Sequence, residues 1–489
     1  MKRFRIAIEY IKTAIIALLI VSAVCLFVAY MFEFQNIGGK HAIEFDRMRI
    51  LSGSDNHGSY DVSSDCIFPA AFAYSCDGGK YLFTGSRSLY QTAYSEALGY
   101  LKTLYSSASY CAEITDNADA VWDYCTSRDF VYLLYQKPLP VSALCLFSGN
   151  DGGDVKDAVQ GELPYIREIF ILSSDPYLSA SFLRATGITV SPASGDICAA
   201  ARSADGKIYL LFGTSSLSDV KFDKQLFSAY NKNDSVCAFS FMKELDEPIL
   251  DAVRGPFSDT VIIPSKSASL NDVVIETATA ADFGSEAVLR FLEDIGINTT
   301  KMRHYEGVEG EEIYISESFV FRISNGGALS YQASGEPGIP VSELLGYSKA
   351  GSYGLFDSLT AAGVFMSRVT SDFGGACFGS GVFSFTLTDC VYDNGSLRLE
   401  YRYCSDGIML KGVSAAKLTI VNGSIVSAEL NAVKASTSGG RIKPEPAVWT
   451  LETAASGYGF SDGKTLSGLR LVYAKDDGVY RARWEVTAV

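Results

Sequence analysis

The amino-acid sequence predicts an α+β protein, in which a single N-terminal transmembrane helix is followed by about three extracytoplasmic domains of antiparallel sheet with packed helices. Three observations support this prediction. An uncharged run, residues 13–32, follows a basic N-terminus; several segments alternate apolar and polar residues; and other segments carry apolar residues at steps of three and four. These patterns are typical of a membrane span, of half-buried strands and of amphipathic helices, respectively.

The N-terminal run predicts the protein's location. A helix over Thr13–Phe32 would be roughly 30 Å long, which matches the hydrocarbon core of a bilayer. Glu33 follows this run, whereas four bases precede it, namely Lys2, Arg3, Arg5 and Lys12. Positive charge before a span favours a cytoplasmic N-terminus. We therefore expect a single-pass protein of the cell membrane, with residues 1–34 as tail and membrane helix and the bulk of the chain outside.

A cleaved signal is the alternative interpretation of this segment. A secretory signal has a shorter apolar stretch and ends in a small-residue cleavage site, but Ala29 is followed by Tyr30 and Met31. A lipoprotein signal is disfavoured because the bulky Val24 directly precedes Cys25. We therefore expect an uncleaved anchor.

Composition excludes some classes of partner. The formal net charge of −15 disfavours nucleic acid. The 11 cysteines include no C-x-x-C pair, so the sequence carries neither a zinc ribbon nor a thioredoxin-like motif. We expect most of them to be buried thiols, which behave as small apolar side chains.

The first predicted domain is a membrane-proximal α+β domain over residues 35–218. A helical stripe begins near Ser88 and continues through Leu104. Phe130–Tyr135 is predicted to be a strand that stops at the prolines of residues 137–140. Further strands are predicted at residues 166–172 and, as a hairpin around Asp205 and Gly206, at 197–201 and 208–212.

A central α+β domain is predicted over residues 219–335 and a C-terminal, sheet-rich domain over 336–489. The central domain has a helix from Ser285 to Gly296 and strands at 313–315, 319–323 and 329–331. In the C-terminal domain, residues 396–403 alternate strictly, and hairpin turns are predicted at Asn422–Gly423 and Asp477–Gly478. Trp484 and Tyr401 are predicted to lie on the apolar faces of their strands.

Motifs for catalysis and cofactors give no consistent picture. Residues 459–463 match G-x-S-x-G, but the histidines His41, His57 and His304 all precede them, whereas the nucleophile elbow needs a later one. No H-E-x-x-H, EF-hand, G-x-G-x-x-G or Walker pattern is present. The acidic residues near His304, namely Glu306, Glu309, Glu311 and Glu312, are more typical of a solvated turn than of a weak cation site. The sequence therefore predicts a protein that is not an enzyme and that has no cofactor and no metal.

Four features together resemble the YycH family. They are the basic N-terminus with one span, the segment Phe130–Phe147, the stretch Phe291–Tyr331 and the closing residues Arg483–Val486. The C-terminal part is also similar to the related YycI proteins. The resemblance implies three outer domains and a regulator that modulates a WalK-like sensor histidine kinase of a two-component system controlling cell-wall metabolism, on the outer face of Gram-positive membranes. It also implies contact with the kinase through the membrane helix and the ectodomain, with a YycI-like protein as a possible companion.

One face of the predicted span is rich in small side chains. Steps of three and four place five residues on this face, namely Ala14, Leu18, Ser22, Cys25 and Ala29. Small side chains let helices approach closely in lipid, so we expect this face to bind a partner helix. The sequence leaves two other functions open. The protein could be an extracytoplasmic protein that binds a ligand or the cell wall without a kinase partner. It could also be an enzyme with an unfamiliar site.

Overall fold

The computed structural model of the protein describes residues 67, 69–83, 87–114, 117–141, 143–144, 165–188, 196–203, 205–213, 236–245, 260–267, 269–334, 337–346, 353–373, 378, 382–393, 395–405, 408–456 and 466–488. The predicted membrane span and its small-residue face lie outside these residues. Within them, no helix is both long enough and apolar enough to cross a membrane.

The N-terminal part of the described chain forms a nine-stranded antiparallel sheet. Its strands are β1 Ala71–Cys76, β2 Gly79–Phe83, β3 Ala108–Ile114, β4 Phe130–Pro140, β5 Tyr165–Leu172, β6 Asp196–Arg202, β7 Ile208–Gly213, β8 Val236–Phe241 and β9 Ile262–Pro264. Their order across the sheet is β3-β7-β6-β5-β4-β1-β2-β8-β9. Every residue of β6 and β7 is buried, so their side chains are covered on both faces of the sheet.

In the part of the chain that the structure describes, three helices cover the two faces of this sheet, namely α1 Arg87–Ser107, α2 Ala118–Thr126 and α3 Pro176–Thr186. Successive strand residues point to opposite faces. Phe72 contacts Tyr90 of α1, with ring centroids 5.5 Å apart. Its neighbour Ala73 belongs instead to the core that contains Trp122 of α2 and Phe182 of α3. Helix α1 therefore covers one face, and α2 and α3 cover the other.

The rest of the described chain forms a second, 13-stranded sheet. Its strands are β10 Leu270–Thr277, β11 Arg303–Glu306, β12 Glu312–Ile315, β13 Phe319–Ile323, β14 Ala328–Ala333, β15 Ile339–Pro340, β16 Ser384–Asp393, β17 Ser396–Ser405, β18 Ile408–Val421, β19 Ser424–Asn431, β20 Val433–Ile442, β21 Leu466–Asp476 and β22 Val479–Ala488. The main order is β11-β12-β13-β14-β19-β18-β21-β22-β10-β20, and β16 and β17 join at β18. Strands β18 and β21 form a short parallel pair, whereas the other named pairs of this sheet are antiparallel.

Four helices among the described residues accompany this sheet, namely α4 Ser285–Asp294, α5 Val341–Leu345, α6 Leu355–Asp372 and α7 Ala447–Ser456. Val288, Phe291 and Leu292 on one side of α4 are fully buried. Phe291 lies 5.7 Å from Phe365 of α6 and 6.1 Å from Phe321 of β13, between ring centroids. An aromatic layer therefore joins both helices to the sheet.

A smaller core connects the two sheets. Leu451 of α7 packs in one cluster with Val261 and Ile263 at the end of the first sheet and with Leu466 of β21. Trp484 is half-buried against the same cluster, and its indole N–H donates to the carbonyl oxygen of Glu445 at 2.9 Å. Polar pairs add to this seam, including Arg470 with Gln136 and Lys137 with Asp389.

The structure confirms an α+β fold of mostly antiparallel sheets. The predicted helix at 285–296, the alternating strand at 396–403 and the hairpins at Asn422–Gly423 and Asp477–Gly478 are present. In both turns the two residues have positive φ, which is the conformation that favours Asn-Gly and Asp-Gly. The predicted stop at residues 137–140 is wrong: β4 continues to Pro140, because a register shift between Leu134 and Leu139 accommodates the prolines.

Strand pairs connect segments on either side of the predicted domain boundaries. Residues from Tyr60 onward form one compact unit. Strand β8, which follows residue 218, pairs with β2 of the first sheet, and β14, which precedes residue 335, pairs with β19 of the second. The division at 218 and 335 stays a prediction.

Candidate interaction surface

The predicted partner-binding residues Ala14, Leu18, Ser22, Cys25 and Ala29 lie outside the described residues. Among the described residues, two groups of buried ionisable side chains stand out, because a charge is rarely buried without partners. One lies under helix α3, and the other lies between β4, β5 and β6.

The group under α3 centres on the carboxylate of Asp196, the first residue of β6. Asp196 is only 8% exposed. It accepts hydrogen bonds from the Ser174 hydroxyl and the Asp175 backbone N–H, both at 2.7 Å, and from the Ser179 hydroxyl. Three donors therefore satisfy this buried carboxylate and fix the segment that enters α3.

A buried cation completes the same group. The guanidinium of Arg128 donates to the hydroxyl of Tyr124 and to the carbonyl oxygen of Ser173, and it lies 5.2 Å from the Tyr124 ring centroid. The hydroxyls of Tyr124 and Ser179 are 2.9 Å apart, so the network runs from Arg128 to Asp196. Burial raises the pKa of Tyr124 above its ordinary value, which keeps this hydroxyl protonated and able to bridge its neighbours.

The network supports the exposed first turn of helix α3. Asp175 caps the helix by accepting from the Leu178 backbone N–H at 3.0 Å, and Pro176 occupies a first-turn position. On this turn, Tyr177 is 76% exposed and Leu178 is 44% exposed. We call Tyr177 and Leu178 the α3 patch. The backbone that carries these two apolar side chains is held from below at Ser174, Asp175 and Ser179.

The second buried group contains an ion pair. Arg202 Nε lies 3.0 Å from a carboxylate oxygen of Glu168, and its guanidinium lies 4.7 Å from the Trp122 ring centroid. The Tyr132 hydroxyl donates to the other oxygen of Glu168, and burial raises the pKa of Tyr132 well above its ordinary value. The two charges are thus paired, and the carboxylate of Glu168 also accepts a hydrogen bond, which reduces the cost of burying them.

Two small cavities lie at the seam between the sheets, and the ion pair lines the first of them. Their volumes are about 30 and 60 Å³; the first is lined in part by Arg167, Glu168 and Thr260, and the second by Tyr90, Leu469 and Trp484. Sites for small organic ligands are typically about 300–1,000 Å³, whereas one water needs about 10–15 Å³. These cavities suit a few water molecules.

The cysteines and the acidic residues near His304 were the other sequence features of interest. Seven described cysteines are buried, as expected. Burial raises the thiol pKa of Cys198 and of Cys390 to about 12, so neither is a thiolate near neutral pH. Among the described residues, no three His, Cys, Asp or Glu side chains are placed to share a metal ion.

Comparison with known proteins gives no relative: no protein-family model, no curated protein and no solved structure matches this chain.

Sequence reasoning missed the α3 patch and its support. Arg128 and Asp196 are far apart along the chain, and neither lies in a recognisable motif. The capping signal of Asp175 before Pro176 was readable, and it predicts where α3 begins. It does not predict that Tyr177 stays exposed.

Proposed function

We propose that this protein is a membrane-anchored, extracytoplasmic regulator that modulates a sensor histidine kinase by protein association. The N-terminal charge pattern and the uncharged run at 13–32 support the anchor. The resemblance to the YycH family supports a WalK-like kinase as the partner, and cell-wall metabolism as the process it controls.

The α3 patch is the observation that carries an association function. A tyrosine that is 76% exposed sits beside a half-exposed leucine on a turn held by buried hydrogen bonds. Tyrosine is enriched at interfaces because its ring is large and apolar and its hydroxyl can stay solvated. A preorganised turn also reduces the entropy that is lost on binding.

The membrane helix provides the second part of the proposed contact. Apolar burial does not drive helices together in lipid, so close packing of small residues must do so. Replacing Ser22 and Ala29 by Leu keeps the span apolar but separates the packed helices. Ala23→Leu is the matched control, since Ala23 lies on the opposite side of the helix at roughly 100° per residue.

The experiment measures capture of the full-length WalK-like kinase by the tagged, full-length protein in membranes. We expect Tyr177→Ser with Leu178→Ser to lower capture at least about tenfold, and Ser22→Leu with Ala29→Leu to lower it further. Trp449→Ser, which removes another exposed aromatic side chain, should leave capture unchanged; Trp449 is 60% exposed. A reporter fused after Val489 that is active only outside the membrane checks the orientation.

The proposal can fail at the contact or at the partner. If neither double variant changes capture, the α3 patch and the small-residue face of the span are not the contact. If the wild-type protein does not capture the kinase, or if deleting the gene leaves cell-wall gene expression unchanged, the kinase is not the partner. A ligand-binding or wall-binding ectodomain then becomes the favoured function. Activity with a cytoplasmic reporter alone would contradict the membrane topology.

A further inference from the structure

Strand β11 forms one edge of the second sheet among the strands that the structure describes. It is the terminal strand in the sheet order, and it pairs on one side with β12. All four of its residues, Arg303–Glu306, are exposed. Among the described strands, none pairs with its outer edge, so this edge is a template for another strand.

The hydrogen-bond pattern shows which backbone groups face this open edge. The Gly307 N–H donates to the Glu311 carbonyl oxygen at 2.6 Å. Hydrogen-bonded and non-hydrogen-bonded pairs alternate in an antiparallel ladder, so Tyr305 and Ile313 form the next hydrogen-bonded pair. The N–H and C=O groups of His304 and Glu306 therefore point away from β12.

Charge is distributed unevenly along this edge. The N-terminal end carries Lys301 and Arg303, whereas the C-terminal end carries Glu306 and Glu311. Between and beyond the charges, Tyr305 is 47% exposed and Val308 is 85% exposed. An antiparallel neighbour with the same sequence would place its acidic end against this basic end.

We propose that β11 pairs antiparallel with β11 of a second copy of this chain. The two-fold axis of this pairing passes between Tyr305 and Tyr305 of the second copy. The outward-facing groups of His304 and Glu306 restrict the pairing to a few registers. Placing His304 opposite His304, or Glu306 opposite Glu306, would put two identical side chains opposite each other at the two-fold axis. Placing His304 opposite Glu306 of the second copy puts an imidazole opposite a carboxylate on both sides of the axis.

This register also covers the exposed side chain of Tyr305. Tyr305 faces Tyr305 of the second copy in a non-hydrogen-bonded pair, where cross-strand side chains are closest and aromatic pairs are stabilising. The contact is isologous, so it closes as a dimer and does not extend into a fibre.

Disulfide trapping of the full-length protein in membranes tests the dimer, since four residues of strand make a weak contact that needs trapping. Opposed Cα atoms in a non-hydrogen-bonded pair are about 4.5 Å apart, within the range that a disulfide spans. Under a mild oxidant, we expect Tyr305→Cys to give a covalent dimer at least about tenfold above wild type. Trp449→Cys, at another exposed aromatic position, is the matched control and should stay at the wild-type level.

Two further variants test the register. Chains carrying His304→Cys should link to chains carrying Glu306→Cys when the two are produced together, but each should link poorly to itself. Adding Glu306→Pro to Tyr305→Cys should abolish trapping, because it removes an outward N–H and leaves the β12 bonds of Tyr305 in place. Adding Glu306→Lys should also reduce trapping, and it serves where the proline variant unfolds.

Some results would overturn the inference. If Tyr305→Cys traps no more dimer than Trp449→Cys, the edge does not self-pair. Efficient linking of His304→Cys to itself would mean that the proposed register is wrong.

Discussion

Replacing Asp196 by Ala should destabilise the first sheet strongly. The change removes the acceptor of three hydrogen bonds, from the hydroxyls of Ser174 and Ser179 and the backbone N–H of Asp175. A buried donor left without its partner costs about 1–3 kcal/mol. Ser179 is buried, whereas Ser174 and Asp175 are half-buried and regain some hydration. We therefore expect a loss of about 4 kcal/mol in the free energy of unfolding.

Denaturant unfolding followed by fluorescence measures this loss. Trp122 belongs to the same core as Tyr124 and Phe182, so its emission reports on this region. Asp196→Asn keeps one oxygen acceptor and should lose about half as much stability. Asp123→Ala is the control, because the Asp123 side chain is exposed and makes a surface ion pair with Lys243, which contributes little.

Coupling to Arg128 provides a second check. If the network acts as a unit, Arg128→Met with Asp196→Ala should cost less than the sum of the two single changes. The reasoning would be refuted if Asp196→Ala destabilised the protein no more than Asp123→Ala does. It would also be refuted if the loss of stability in the double variant equalled the sum of the losses from Arg128→Met and Asp196→Ala alone.

The other predictions concern the second sheet. Phe291→Ala should lower the free energy of unfolding by about 3–5 kcal/mol, since Phe291 is fully buried among aromatic rings; Leu289→Ala, at a partly exposed position of the same helix, should cost far less in the same melt. Asp372→Asn should stabilise the protein near neutral pH, because burial and the Asp294 carboxylate raise the pKa of Asp372. A raised carboxyl pKa means that the folded state holds the proton more tightly, so the penalty is relieved as pH falls through the folded pKa, and the two melting temperatures should converge in acid; a constant gap would contradict this. Trp484→Ala should lower the melting temperature, because it removes packing against the smaller core between the two sheets and the hydrogen bond to Glu445. An unchanged melting temperature would mean that this side chain contributes no packing.

Local patterns predicted much of the second sheet. The alternation of residues 396–403 places Leu397, Leu399, Tyr401 and Tyr403 in the core, and all four are buried. The turns at Asn422–Gly423 and Asp477–Gly478 follow from residues that tolerate positive φ. These features depend on neighbours within a few residues, which is why periodicity and turn chemistry report them.

The prolines of β4 show where local reasoning fails. Pro138 and Pro140 indicate a stop, because proline cannot donate to a ladder. The strand continues because a register shift lets Leu139 pair with Ile166 and Pro140 with Tyr165 of β5. Only the position of the partner strand determines whether such a shift is possible.

Long-range pairing decided the features on which the candidate surface depends. Arg128, Tyr124, Ser179 and Asp196 meet because α2, α3 and β6 pack on the same face of the first sheet. Strand β10 joins β20 and β22 across a large separation in sequence, and the open edge at β11 exists because no described strand lies beyond it. A strand pattern specifies which face is buried but not which strand lies beside it, because the energy of pairing resides in contacts between residues that are distant along the chain.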